Sequence, residues 1–234
     1  MNLLRSLAFY GVFYLGTLVL LVVIPFQGAR GVRRVAGGWS ALHRWCVRHL
    51  LRIRIIQQGG PIDGPALYAM RHESFFEAID APCVFGEPVI FAKQELLAIP
   101  AWGGAGRKYG LIPVARDEGA KALRDLMRAA KGAKAEGRPF LIFPEGTRIA
   151  PGETVKFSRG GAALACANNA PIIPVAHNAG EYWPRHGWGK KPGTIKVMIG
   201  PAIYPAGADP RSIVAANKQA ESWINAQLQS LRDA

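Results

Sequence analysis

The 234 residues, 50% of them apolar, are enough to bury one sizeable core, so no disulfide or metal staple is needed for folding. Cys46, Cys83 and Cys166 are scattered with no paired spacing, which gives neither a disulfide framework nor a zinc site a basis and fits a reducing compartment. The net charge of +13 narrows the partners to an anionic surface, either nucleic acid or acidic lipid.

The N-terminal segment decides between these two. Residues Ser6 to Phe26 carry no charge and are largely Leu, Val, Phe and Tyr. That is about the ~20 residues a helix needs to cross a bilayer. A cleaved signal peptide has a shorter apolar core and a small-residue cleavage site. Eight arginines, from Arg5 to Arg54, all precede Asp63, the first acidic residue. An apolar segment followed by a basic one fits a lipid surface and speaks against nucleic acid.

A second helix is predicted from about Gly31 to Leu51. Val32, Val35, Trp39, Leu42, Cys46 and Leu50 recur at three- and four-residue steps, with Arg33, Arg34, Arg44 and Arg48 largely elsewhere around the wheel. With Trp39 and Trp45 this reads as an interfacial helix whose tryptophans and arginines bind the membrane. A core helix packed on the following domain has the same periodicity, so both readings stand. Residues 1–51 are thus expected to form a membrane anchor of two helices and 52–234 a separate domain. If the apolar segment spans, the arginines beyond it place that domain on the cytoplasmic face, at the inner membrane in a bacterium.

Beyond Gln57, short apolar runs alternate with helical stretches. Ala66–Met70, Val89–Ala92, Leu111–Ala115, Phe140–Phe143, Ile172–Ala176 and Ile195–Ile199 read as strands. Helices are predicted over 118–135, with Asp117 as cap, and over 210–232. The pattern is α/β: a central mixed, mostly parallel sheet flanked by helices.

The chemistry is carried by residues just past the strand ends. His72 comes after the first strand, Lys93 after the second, Arg116 after the third, and Glu145 and Arg148 after the fourth. Ligands of open α/β sheets bind outside the carboxyl ends of the strands. A single cation there reads as solvated surface, but the recurrence argues for an anion site. Histidine, carboxylate and three cations together suit deprotonation of a hydroxyl on a phosphorylated substrate.

Within Arg71-His72-Glu73-Ser74-Phe75-Phe76-Glu77, the imidazole and the Glu77 carboxylate are five residues apart. On one helix they would diverge by about 140°, whereas a turn between them lets them meet. A carboxylate on one ring nitrogen fixes the tautomer of a histidine base. The same residues read equally as a capping box, Glu77 reaching back to Ser74. No G-x-S-x-G elbow surrounds Ser74, and the remaining histidines show no metal-like grouping.

His72 to Glu77, the block Gly110 to Arg116, the run Phe143-Pro144-Glu145-Gly146-Thr147-Arg148 and the paired prolines Pro171 and Pro174 occur in an order that resembles the glycerolipid acyltransferases related to 1-acylglycerol-3-phosphate acyltransferase. Two positions depart from that family: Glu77 stands where it has aspartate, and Arg71 where asparagine is common. Asp80 is a second carboxylate, at a spacing that does not match.

The resemblance implies transfer of an acyl group from acyl-CoA or acyl-carrier protein to the sn-2 hydroxyl of lysophosphatidate, without an acyl-enzyme, metal or other cofactor. It implies His72 as base, Glu77 as its partner, and Arg116, Glu145, Gly146, Thr147, Arg148 and Lys93 around the substrate phosphate. Another lysolipid acceptor, such as a lyso-ornithine lipid, and a non-catalytic membrane lipid-binding protein are the alternatives.

Overall fold

A computed structural model describes residues 2–114, 124, 127 and 135–232. Among these, seven strands form one sheet: β1 (Ile53–Gln58), β2 (Leu67–Met70), β3 (Val89–Lys93), β4 (Ile112–Val114), β5 (Phe140–Ile142), β6 (Ile172–His177) and β7 (Gly193–Ile199). Their order is β1-β7-β6-β2-β5-β3-β4, and β6–β7 is the antiparallel pair in an otherwise parallel sheet. The mixed, mostly parallel α/β architecture is therefore present. β2 is the middle strand, so the turn leaving it sits at the centre of the sheet's carboxyl edge.

Both faces of the sheet are covered, which is why β2 and β6 are buried at every residue and read as unbroken apolar runs. Side chains alternate between the faces. Tyr68 and Met70 join one core with Cys46, Val47 and Phe76, whereas Leu67 and Ala69 join another with Leu164, Ala216 and Ala220. The first core is roofed by α1 (Asn2–Val23), α2 (Ala29–His49) and α3 (Phe76–Phe85). The second lies under α5 (Gly160–Ala167) and α7 (Pro210–Arg232); α4 (Trp102–Tyr109) and the single turn α6 (Ala179–Tyr182) are further α-helices, and 3-10 turns lie at Ile24–Phe26 and Gln94–Ala98. Asp209 starts α7 by accepting the Arg211 and Ser212 amides at 2.9 and 3.1 Å.

The two N-terminal helices differ from each other. α1 contains an 18-residue stretch of mean hydropathy 2.4, of which 11% is buried. Leu4, Leu15, Leu18 and Val22 are exposed, and Phe9 and Phe13 pack inward. α2 is a core helix. It buries Val32, Ser40, His43, Cys46 and Val47, and Arg44 grips Asp80 of α3 through two bonds of 2.6 and 2.8 Å. The expected pair of anchoring helices is therefore one long apolar helix and one helix of the domain core, since α2 spends its apolar face on its own protein.

α1 is tied down along its length. Trp39 Nε1 donates to Thr17 Oγ1 at 2.9 Å, Ser6 Oγ accepts the Lys190 amide at 2.8 Å, and Lys108 Nζ donates to the carbonyls of Pro25 and Gln27 at the far end.

Besides the single turn α6, three described elements, β1, α4 and α5, have no counterpart among those predicted from sequence. β1 is an edge strand whose partner, β7, lies more than 130 residues on in the chain. α5 is a short, fully apolar helix with no polar face to give it a period. α4 runs through Gly103-Gly104-Ala105-Gly106, where glycine permits close packing: a Cβ on Gly103 would lie 2.0 Å from the Leu97 carbonyl oxygen. The helix expected over 118–135 falls largely outside the described residues, as do its cap Asp117 and the candidate Arg116.

Candidate active site

β2 ends at Met70, and the chain turns at once into α3, with His72 and Glu77 at the two ends of the turn. His72 Nδ1 and Glu77 Oε1 are 2.8 Å apart. The carboxylate is the acceptor, so Nδ1 carries the proton and Nε2 keeps its lone pair. The same Oε1 accepts the backbone amides of Glu73 and Ser74 at 2.7 and 2.8 Å, and Oε2 accepts the Ser74 hydroxyl at 2.8 Å. The Ser74 oxygen in turn accepts the Phe76 amide at 3.0 Å. The two sequence readings of this segment are thus not rivals: one carboxylate closes the helix start and holds the imidazole.

Glu77 is fully buried. Burial pushes its pKa up, but this is outweighed by neighbouring His177, by the hydrogen bond and charge of His72 and by the Ser74 amide, which bring it down to about 2. The His72 ring stacks on Phe143 with centroids 4.2 Å apart and remains 17% exposed, so a ligand can reach it.

Arg71, completely buried, stitches this turn to its neighbours. Its Nη2 donates to the carbonyls of Ala150 and Glu153, its Nε to Glu73 Oε1 at 3.2 Å, and its Nη1 lies 3.5 Å from Glu145 Oε1. Glu73 reaches on to the Gly180 amide at 3.0 Å. A side chain at Gly180 would collide with Glu73 and Pro151, each 2.9 Å from an added Cβ. His177, ending β6, donates from Nε2 to the Arg71 carbonyl at 2.7 Å and accepts the Ala179 amide at Nδ1. Three strand ends are locked together in this way. The sequence offered a signal for His177, since it also comes at the end of a strand, and none for the Arg71–Glu73 pairing.

The residues expected around a substrate phosphate separate into two groups. Glu145 faces inward, its side chain wholly buried beside Arg71 and accepting the His72 amide at 3.4 Å. Burial pushes its carboxyl up to about 7 against the pull of Arg71 and the His72 amide, and its Oε2 has no hydrogen-bond partner among the described residues. The carboxyl is therefore packed against Arg71 and the histidine turn. Gly146, at φ 71°, turns the chain, donating its amide to the Phe143 carbonyl; Thr147 is exposed beyond it. Arg148 returns to the site, its guanidinium 4.1 Å above the Phe75 ring. Lys93 ends β3 and pairs with Glu95 at 2.9 Å on the surface.

The six candidate membrane residues also divide. Arg33 bridges Glu87 and Glu136 at 2.8 and 3.2 Å, and Arg44 is held by Asp80. Trp39 bonds to α1, so these three are engaged inside the fold. Arg34, Trp45 and Arg48 are exposed on α2, and Arg30 joins them. The Arg44 bond also occupies Asp80, the second carboxylate considered beside His72.

Next to the histidine turn lies an apolar cavity of about 790 Å³, within the ~300–1,000 Å³ of small-ligand sites. Phe13, Leu20, Trp39, Ile79 and Trp102 are in its lining, with Phe75 and Arg185. α1 supplies a wall of this cavity with one face and presents bare apolar side chains with the other.

A histidine–carboxylate pair on the central strand of a parallel sheet, opening beside a cavity of hydrocarbon character, defines an α/β enzyme acting on a ligand with an apolar chain. The acyltransferase family profile matches residues 47–178. A 1-acyl-sn-glycerol-3-phosphate acyltransferase of Pseudomonas aeruginosa is 36% identical over 94% of this chain and 89% of its own. A chloroplastic 1-acyl-sn-glycerol-3-phosphate acyltransferase of Brassica napus is 28% identical over 68% of this chain and 47% of its own. The crystal structure of the 1-acyl-sn-glycerophosphate acyltransferase of Thermotoga maritima matches the fold with a TM-score of 0.77 at 21% identity, covering 100% of this chain and 97% of that one. The chain belongs to the acyltransferase family, in the group of 1-acyl-sn-glycerol-3-phosphate acyltransferases.

Proposed function

We propose that the protein moves a fatty acyl group from a thioester donor, acyl-CoA or acyl-carrier protein, to the sn-2 hydroxyl of lysophosphatidate, giving phosphatidate. The observation that carries this reading is the 2.8 Å contact of His72 Nδ1 with Glu77, which leaves Nε2 free as the base. Nε2 takes the hydroxyl proton as the oxygen attacks the thioester carbonyl. The tetrahedral intermediate collapses with cleavage of the C–S bond, and the imidazolium returns its proton to the departing thiolate. Glu77 stays ionised throughout and balances the imidazolium. The thioester supplies the activation, so no metal or prosthetic group enters a step. The apolar cavity suits the hydrocarbon chain of donor or acceptor, and Arg148 suits the acceptor's phosphate.

The exposed face of α1 supports attachment to lipid, and Arg30, Arg34 and Arg48 on α2 suit an anionic leaflet. The cytoplasmic leaflet carries the negative surface potential, which favours the domain on that side.

The test is an assay of the purified full chain with lysophosphatidate, a lyso-ornithine lipid and both thioester donors. His72→Ala should lower turnover by about 10²–10⁴-fold in a folded protein. A folded variant with near wild-type turnover removes His72 as the base, and transfer to the lyso-ornithine lipid alone overturns the acceptor. Leu15→Lys with Leu18→Lys should weaken sedimentation with anionic vesicles at least tenfold, since apolar burial on α1 is lost. Undiminished binding of that variant would place the anchor elsewhere.

A further inference from the structure

Two arginines meet beside the cavity through the backbone of one of them. Arg185 Nη1 donates to the backbone carbonyl of Arg148 at 2.9 Å, which brings its guanidinium alongside the loop leaving β5. The Arg148 guanidinium carbon lies 4.1 Å from the Phe75 ring centroid, and Phe75 and Arg185 are both in the cavity lining. Phe75 is three residues from His72, and His72 stacks on Phe143 of the Arg148 loop. The basic pair therefore flanks the turn that carries the base.

Among the described residues neither arginine forms an ion pair with a carboxylate. The contrast with Arg33, Arg44 and Arg71 is direct, since each of these has its acid. The Arg148 guanidinium is pulled below its ordinary pKa by burial and then by the charge of Arg185. Glu77 opposes this only in part, so a ligand of opposite sign would relieve the repulsion between the two like charges. The cation–π contact with Phe75 holds Arg148 in place, and its N–H groups can form a fork onto phosphate oxygens.

We propose that Arg185, outside every motif read from the sequence, is the second guanidinium of a phosphate subsite whose first is Arg148. The assignment rests on the acyl-transfer reading of this site and deepens it. The ligand chemistry is a phosphate ester, which the acceptor carries as its headgroup and CoA carries in its nucleotide.

The two sources are separated by titrating the full chain in detergent with sn-glycerol 3-phosphate and, in parallel, with CoA. Wild type, Arg185→Gln and Arg185→Lys are compared after thermal melts have confirmed that each is folded; Arg185 is exposed, so both substitutions are tolerable. Arg185→Gln should weaken sn-glycerol 3-phosphate about tenfold or more and leave CoA within about twofold, as loss of one charge-assisted contact predicts. Arg185→Lys should recover part of the loss, since it keeps the charge without the fork. Weakening of CoA alone would support the subsite and give its phosphate to the donor. Unchanged affinity for both probes overturns it. Arg185-dependent binding in a wild-type protein that does not acylate lysophosphatidate would sink the reaction proposed above and leave the subsite standing.

Discussion

The segments that follow β2 and β5 each bury a glutamate beside His72, and the two glutamates behave in opposite ways. Glu77 receives four donors: the His72 ring, two backbone amides and the Ser74 hydroxyl. Glu145 receives one long amide bond and an ion pair at 3.5 Å, with one oxygen unpartnered among the described residues. The first is held down to about 2 and the second pushed up to about 7. Depth of burial does not decide charge; the positive neighbours and the donors around each carboxyl do. If His72 is the base, as proposed, its partner has to stay anionic, and the donors in the turn after β2 serve that end.

Removing the charge at Glu77 is the larger perturbation. Glu77→Gln keeps the shape of the carboxylate and cannot balance an imidazolium, so turnover should fall tenfold or more, measured against protein confirmed as folded. Its pKa, lowered from 4.5, also makes a stability statement. A depressed carboxylate stabilises the fold above its unfolded value, and the contribution is lost as pH falls from 4.5 towards 2. The shift corresponds to roughly 3 kcal/mol. Denaturation of wild type should therefore steepen in that window, and the glutamine variant should be flatter there. Equal turnover in the two proteins would leave Glu77 as a helix-start residue only and dissolve the contrast with Glu145.

The unequal legibility of the site comes from the same physics. His72, Glu77 and Arg148 are readable because their spacing relative to a strand end is local in the chain, and local spacing survives in sequence. Glu145 is readable as a site residue but not as a buried one: a residue beside glycine and threonine in a loop looks exposed, and only the tertiary fold shows it turned beneath Arg71. Arg71 looks like an oddity where a smaller residue is common, and it proves to hold Glu73 and Glu145 at once. The partners of its side chain lie 74 to 82 residues away except for Glu73, beyond the reach of any periodicity. α2 is ambiguous in a different manner. An apolar stripe flanked by arginines has one pattern whether it meets lipid or protein, and the Arg44–Asp80 bond that distinguishes the two is a long-range contact. Arg185 leaves no trace because it meets the site through a backbone carbonyl, which has no sequence signature.

The smaller perturbation is at Glu145, and it separates strut from substrate contact. Its carboxyl is raised from 4.5 to about 7, so the folded chain holds a proton there that the unfolded chain releases. The sign is the reverse of that at Glu77. The contribution to stability is complete below pH 4.5 and is lost as pH rises through about 7. Glu145→Gln is a permanent mimic of the protonated form and retains an acceptor for the His72 amide and Arg71. Thermal melts from about pH 5 to about pH 8 should show wild type declining and the variant flat, with a gap of roughly 3 kcal/mol at most by the upper end. Because the side chain is wholly buried behind the histidine turn, the KM for lysophosphatidate should move less than about threefold, well short of the roughly tenfold that loss of a charged contact with phosphate brings. A tenfold rise in that KM with no change in the pH dependence of the melts would mean that Glu145 turns out to meet substrate. The two glutamates would then no longer divide into one that serves the base and one that braces the loop.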